Sequence, residues 1–116
     1  MIEPQIMYIE LKPDGVSGTA RIGRVSFTKS GRGLYYQGRL YLKQKGGFKT
    51  NYFDAETGEA VWISGCKESG GDRLYSGSIE IDDDVREEYW IEIRKMPDRK
   101  NERVIRDVGK YHPRAK

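Results

Sequence analysis

Arg21, Arg24, Arg39 and Lys43 fall in stretches that read as neighbouring β-strands, with Tyr35, Tyr36 and Tyr41 interleaved among them. Cations beside aromatic faces are what a single-stranded nucleic acid requires: the charge follows phosphate, and each ring stacks a base for about 1–3 kcal/mol. RNA or single-stranded DNA is therefore one candidate ligand. The same residues also have a structural reading, in which the tyrosines form the half-buried wall of a small barrel and the arginines a solvated face opposite an acidic segment. A second set of bases, Arg99, Lys100, Arg103, Arg106 and Lys110, lies towards the C-terminus, where it could hold a partner protein or add phosphate contacts.

Other constellations are poorer in chemistry. Asp82, Asp83 and Asp84 are consecutive, so they do not reproduce the alternating ligands of a calcium loop, and they read more economically as the start of a helix. Cys66 and His112 are the single Cys and the single His, too few for a zinc set, and His112 sits beside Pro113 in the basic tail, away from any evident nucleophile pairing. Glu56 and Glu59 straddle a turn, where both carboxylates stay ionised rather than sharing acid and base roles. No glycine cluster opens a helix as a phosphate loop must. The expectation is no catalytic residue, no metal and no cofactor.

The elements that would position these groups are mostly strands. From Leu34 to Gly65 the chain holds seven of its thirteen aromatic residues. Leu34 to Leu42 reads as one alternating strand, KQKGG breaks it, and Lys49–Asp54 and Glu59–Ser64 read as a hairpin around Glu56-Thr57-Gly58. That register sets Tyr52 opposite Val61 and Phe53 opposite Ala60. Upstream, Ile6–Lys12 alternates Ile6, Tyr8 and Glu10 against Met7, Ile9 and Leu11, and Pro13-Asp14-Gly15 turns the chain. Thr19–Thr28 alternates with a slip at Gly23, which predicts a bulge. Downstream, Gly65–Arg73 is a glycine-rich loop and Leu74–Ile81 resumes the β pattern. Gly71-Asp72-Arg73-Leu74-Tyr75 echoes Gly31-Arg32-Gly33-Leu34-Tyr35. The triple Asp predicts a helical turn, and Trp90–Arg94 a closing strand; one continuous helix from Asp83 to Arg94 is the competing placement.

At 116 residues the chain is long enough for one core. The lone Cys66 needs no oxidising compartment, and no apolar run approaches a spanning helix, so the expectation is a cytoplasmic protein with no membrane association. The net charge of +3 is unevenly distributed. Residues 12–49 hold nine bases and one acid, residues 54–92 twelve acids and three bases, and residues 95–116 eight bases and three acids. Either the first two blocks neutralise each other across one sheet, or a basic face draws an anionic partner.

The phrases IELKPDGVSGTARIGRVSF, GFKTNYFDAETGEAVWISG and IDDDVREEYWIEIR resemble a family of small bacterial proteins of unknown function, over about Tyr8 to Tyr111. Some members carry a deoxyxylulose-phosphate synthase label. This chain has neither the length of a thiamine-diphosphate enzyme nor the GDG and paired Asn that hold the diphosphate. The resemblance therefore brings no activity or site residue, and implies only a complete bacterial protein to which the tail belongs.

The expectation is a mostly β protein: a curled sheet or SH3-like barrel of five to seven strands over residues 1–96, one short helix, and a basic tail over 97–116 able to dock. In that tail, Val104, Val108 and Tyr111 would share a face if the segment were helical, and in isolation the tail is expected to be mobile. The leading function is a non-enzymatic binding module or adaptor for another protein, reached through a sheet edge or the tail. Nucleic-acid binding through the basic aromatic face is the alternative, and a small carboxylate-dependent enzyme is a third. The oligomeric state is left open.

Overall fold

One hairpin with both faces buried organises the molecule. In the computed structural model, which describes residues 3–11, 20–44, 50–68 and 77–107, β1 (Gln5–Leu11) and β2 (Ala20–Phe27) pair antiparallel from Gln5↔Val25 to Glu10↔Ala20. β3 (Gly33–Tyr36), β4 (Arg39–Lys43), β5 (Tyr52–Asp54) and β6 (Ala60–Gly65) follow as an antiparallel meander. Because β6 returns to pair with β1, the six strands close into a barrel. Two further strands extend it: β7 (Gly77–Ile81) runs parallel to the first half of β2, and β8 (Val104–Asp107) is antiparallel to β7. The protein is thus mostly β, with one short helical segment.

The pleat divides the apolar residues into two cores. Ile9, Val25, Leu34, Tyr36, Tyr41, Tyr52, Val61 and Ile63 come from all six barrel strands and fill the interior. On the opposite face of the β1–β2 hairpin, Ile6, Tyr8, Ala20 and Ile22 pack against Ile79, Ile81, Val85, Tyr89, Trp90 and Ile105. The two faces expected of β1 are therefore both buried. Glu10 lies on the outer one and accepts the Tyr8 hydroxyl at 2.6 Å.

The β5–β6 hairpin has the expected register, Tyr52↔Val61 and Phe53↔Ala60, and Gly58 at its tip has φ 82°. Four other expectations are corrected. Gly23 makes no bulge against β1, since pairing runs through it without a slip. The run from Leu34 to Leu42 is two strands, split at Gln37-Gly38, which have φ 51° and 79°. Positive φ at both central residues is the hairpin turn that matches strand twist. Trp90–Arg94 is not a strand. A 3₁₀ turn at Asp83–Val85, an α turn at Arg86–Glu88 and a π turn at Tyr89–Ile93 run on without a break, closer to the continuous-helix placement. Val85, Tyr89 and Ile93 are four apart and Trp90 joins them, so helical spacing puts all four against the outer core.

The fourth correction concerns residues 97–107, part of the tail expected to be mobile, which dock through a turn and a strand. Pro97–Arg99 forms a 3₁₀ turn, and β8 then buries Ile105 while leaving Val104 exposed. Trp90 fastens this return: its indole N–H donates to the Glu102 carbonyl at 2.9 Å, and the Arg99 guanidinium lies 4.6 Å from the ring centroid. The Pro13-Asp14-Gly15 turn, KQKGG from Lys45 on, most of the Gly65–Arg73 loop, the Gly71–Tyr75 echo, Val108, Lys110, Tyr111 and His112 lie outside the described residues. Among the described residues, no helix is long and apolar enough to cross a membrane.

Candidate functional site

One end of the barrel carries a polar network built on Asp82. This residue precedes the helical segment in extended conformation, but its carboxylate caps nothing. It turns back to accept Arg21 at 2.9 Å (Nε) and 2.7 Å (Nη2) and the Tyr36 hydroxyl at 2.6 Å. Gln37 Nε2 donates to Tyr36 Oη at 3.2 Å and to Asp82 Oδ2 at 3.3 Å, bonds that help hold its left-handed backbone. Burial first, and then Asp82, hold the Tyr36 phenol well above the usual tyrosine range. The hydrogen bond to Asp82 likewise raises the Arg21 guanidinium. Gly23 lies beneath: a Cβ there would stand 2.4 Å from both Asp82 Oδ2 and Tyr36 Cε1.

Beside it, Asp54 closes the rim. Burial pushes its carboxyl up, but the Glu56 and Thr57 backbone N–H groups and Arg39 outweigh that and hold it below the usual range. Arg39 Nη1 donates to it at 2.7 Å, and the two amides at 2.8 and 3.2 Å. Between the two carboxylates, a cleft of about 160 Å³ is lined by Ile9, Leu11, Arg21, Tyr36, Arg39 and Tyr41.

The residues expected to form one basic aromatic face are thus divided. Arg21 pairs with Asp82 and with Glu80 at 3.0 Å, Arg24 with Glu88 at 2.8 Å, and Arg39 with Asp54. These pairs join the basic block of the sequence to its acidic block. Tyr36 and Tyr41 are 5 % exposed and point into the barrel, whereas Tyr35 points outward at 47 %. Lys43 stands exposed at the opposite barrel end. Of the seven, Tyr36 and Tyr41 are buried in the barrel, and Arg21, Arg24 and Arg39 are paired with carboxylates while staying partly open to solvent.

That opposite end holds a groove of about 900 Å³ lined by Arg32, Lys43, Leu42, Phe53, Tyr52 and Ile63, with Gln44 and Asn51. No acid is among these residues. Register carries its apolar side onto the barrel exterior, where Tyr35 faces Leu40 and Leu42 faces Phe53. Sequence reasoning missed Arg32 and Phe53; the signal available was Arg32 in the turn before the aromatic run.

Of the C-terminal bases, Arg99, Lys100 and Arg103 precede β8 and Arg106 lies on it. Arg99 is held by Glu102, at 3.0 Å from Nε and 2.7 Å from Nη2, while Lys100, Arg103 and Arg106 are exposed, with Arg103 3.6 Å from Asp83. Among the described residues β8 is bonded to β7 alone. The Ile81 N–H donates to the Arg103 carbonyl at 2.8 Å, so residues 103 and 105 turn their backbone groups towards β7. By the antiparallel alternation, those of Val104 and Arg106 point outward.

Asp83 accepts Arg86 at 2.7 Å, and no group of three or more His, Cys, Asp or Glu among the described residues is arranged to hold a metal. Glu56 and Glu59 are exposed at the hairpin tip, and Cys66 is partly buried against the outer core. Comparison with protein-family profiles, curated proteins and solved structures finds no match.

Proposed function

We propose that this protein is a non-enzymatic binding module whose partner is another protein, taken as an added strand along the outer edge of β8. The observation that carries the reading is the outward backbone of Val104 and Arg106 on a strand bonded, among the described residues, on one side only. An extended segment pairing there would gain main-chain hydrogen bonds, and side chains at alternate positions would select it. The exposed side chains are Val104 and Arg106, with Arg103 and Lys100 near by, so the fitting segment is extended, partly apolar and acidic. A single Cys, which can form no intrachain disulfide, suits a reducing cytoplasm.

The test is capture of a stoichiometric, nuclease-resistant protein from bacterial extract, followed by rebinding of that purified protein to variants. Arg106→Pro removes one outward N–H without touching the ladder to β7, a substitution edge strands accept. It should abolish binding, whereas Arg106→Ala should weaken it about 2- to 10-fold through charge alone. Equal binding by Arg106→Pro and wild type would overturn the reading.

A further inference from the structure

We propose that the groove at the other end of the barrel binds single-stranded nucleic acid, with Arg32 and Lys43 on the phosphates and Phe53 as the stacking surface. This goes beyond the β8 edge and concerns a different surface. From Gly15 to Phe53 the sequence has no acid. Fold topology then sorts five of the eight bases of that stretch. Arg21, Arg24 and Arg39 are bound by carboxylates. Arg32 and Lys43 are exposed, line the groove, and meet no acid among its residues. The groove, about 900 Å³, is open to solvent rather than enclosed.

The aromatic component is in place beside the charge. Phe53 is partly exposed on the outer face, directly across from Leu42, and Tyr35 continues that face at 47 % exposure across from Leu40. Tyr52 is buried and serves as floor. Asn51 is committed to the wall, its amide donating to the Ile63 carbonyl at 2.7 Å and accepting the Ile63 N–H at 2.9 Å. A cationic rim with an apolar, ring-bearing side suits a strand whose bases are unstacked and whose backbone is charged. A duplex hides its base faces and would use only the charge.

The probe is a fluorescein-labelled oligouridylate or oligothymidylate of about 12 nucleotides, followed by anisotropy with the full chain between about 50 and 200 mM salt. Wild type should bind with an affinity that falls steeply as salt rises. Arg32→Glu with Lys43→Glu should weaken it at least about 10-fold, and Phe53→Ala about 5-fold or more. Arg106→Pro, on the other surface, should bind the oligonucleotide like wild type, so loss of the protein-partner reading leaves this one standing. Absence of binding at low salt, or binding indifferent to the groove substitutions in variants with wild-type circular dichroism, would overturn the proposal. So would equally tight binding of heparin, which has no bases, or of polyglutamate, which would make the groove a dock for acidic protein.

Discussion

Replacing Gly23 by Ala sets intrinsic propensity against packing, and the two predict opposite signs. In an ordinary strand interior the change would stabilise by about 0.4–1 kcal/mol, by restricting the unfolded chain. Here the new methyl would meet Asp82 Oδ2 and Tyr36 Cε1 at 2.4 Å and the Tyr36 hydroxyl at 2.9 Å. Tyr36 is inside the barrel at 5 % exposure, and Asp82 is held by Arg21, so neither retreats without breaking bonds. Overpacking of this kind costs about 1–3 kcal/mol. Separating Tyr36 from Asp82 forfeits a hydrogen bond to a charged group worth about 1.5–3 kcal/mol. Net of the propensity gain, Gly23→Ala should destabilise by about 1.5–5.5 kcal/mol. Urea denaturation followed by tryptophan fluorescence should show a lower midpoint with an unchanged slope. Because Asp82 supplies one of the clashing atoms, Asp82→Ala should absorb part of the cost, and the double variant should lose less than the sum of the singles. A Gly23→Ala protein as stable as wild type would refute the placement of Tyr36 and Asp82 over β2.

Three further outcomes follow from the same geometry. Asp54 titrates below its ordinary range, so its contribution is present above that range and lost as pH falls through the native value. The stability gap between wild type and Asp54→Asn should therefore shrink below about pH 4, as read by urea midpoints. The Tyr36 phenol is raised, so its contribution is complete below about pH 10 and lost as pH climbs through the native value. Wild type should then lose stability above about pH 10 faster than Tyr36→Phe does. Trp90→Phe should cost about 1–3 kcal/mol, because the Glu102 carbonyl loses its donor and Arg99 part of its ring, and β8 should exchange its amides faster as a result.

What the sequence made legible was local. The phase of β1 and the Tyr52↔Val61 register follow from alternation and from a glycine at a hairpin tip, and both are set within a few residues. What it hid was set by distance. Asp82 looked like a helix cap because three acids preceded a helix, but its partners Tyr36 and Arg21 lie 46 and 61 residues away. Gln37 gave little turn signal, since its positive φ is supported by a tertiary bond to Tyr36 and Asp82. Alternation separated Tyr35 from Tyr36, yet only barrel closure decides which faces the core. For the same reason Arg21, Arg24 and Arg39 read as an open basic face until the acidic block folded onto them. The helical segment was obscured by Trp90-Ile91-Glu92-Ile93, a tetrad that fits two residues per repeat as readily as a helical turn.

The outer edge of β8 can be examined most directly by amide hydrogen exchange on the isolated protein, resolved by NMR at Val104, Ile105 and Arg106. The Ile105 amide, turned towards β7, should exchange slowly, while those of Val104 and Arg106 should exchange fast, and all three should become slow when the captured partner is added. Val104 and Arg106 protected as strongly as Ile105 in the isolated protein would mean that the edge is already occupied, and would contradict strand addition as the way this protein binds.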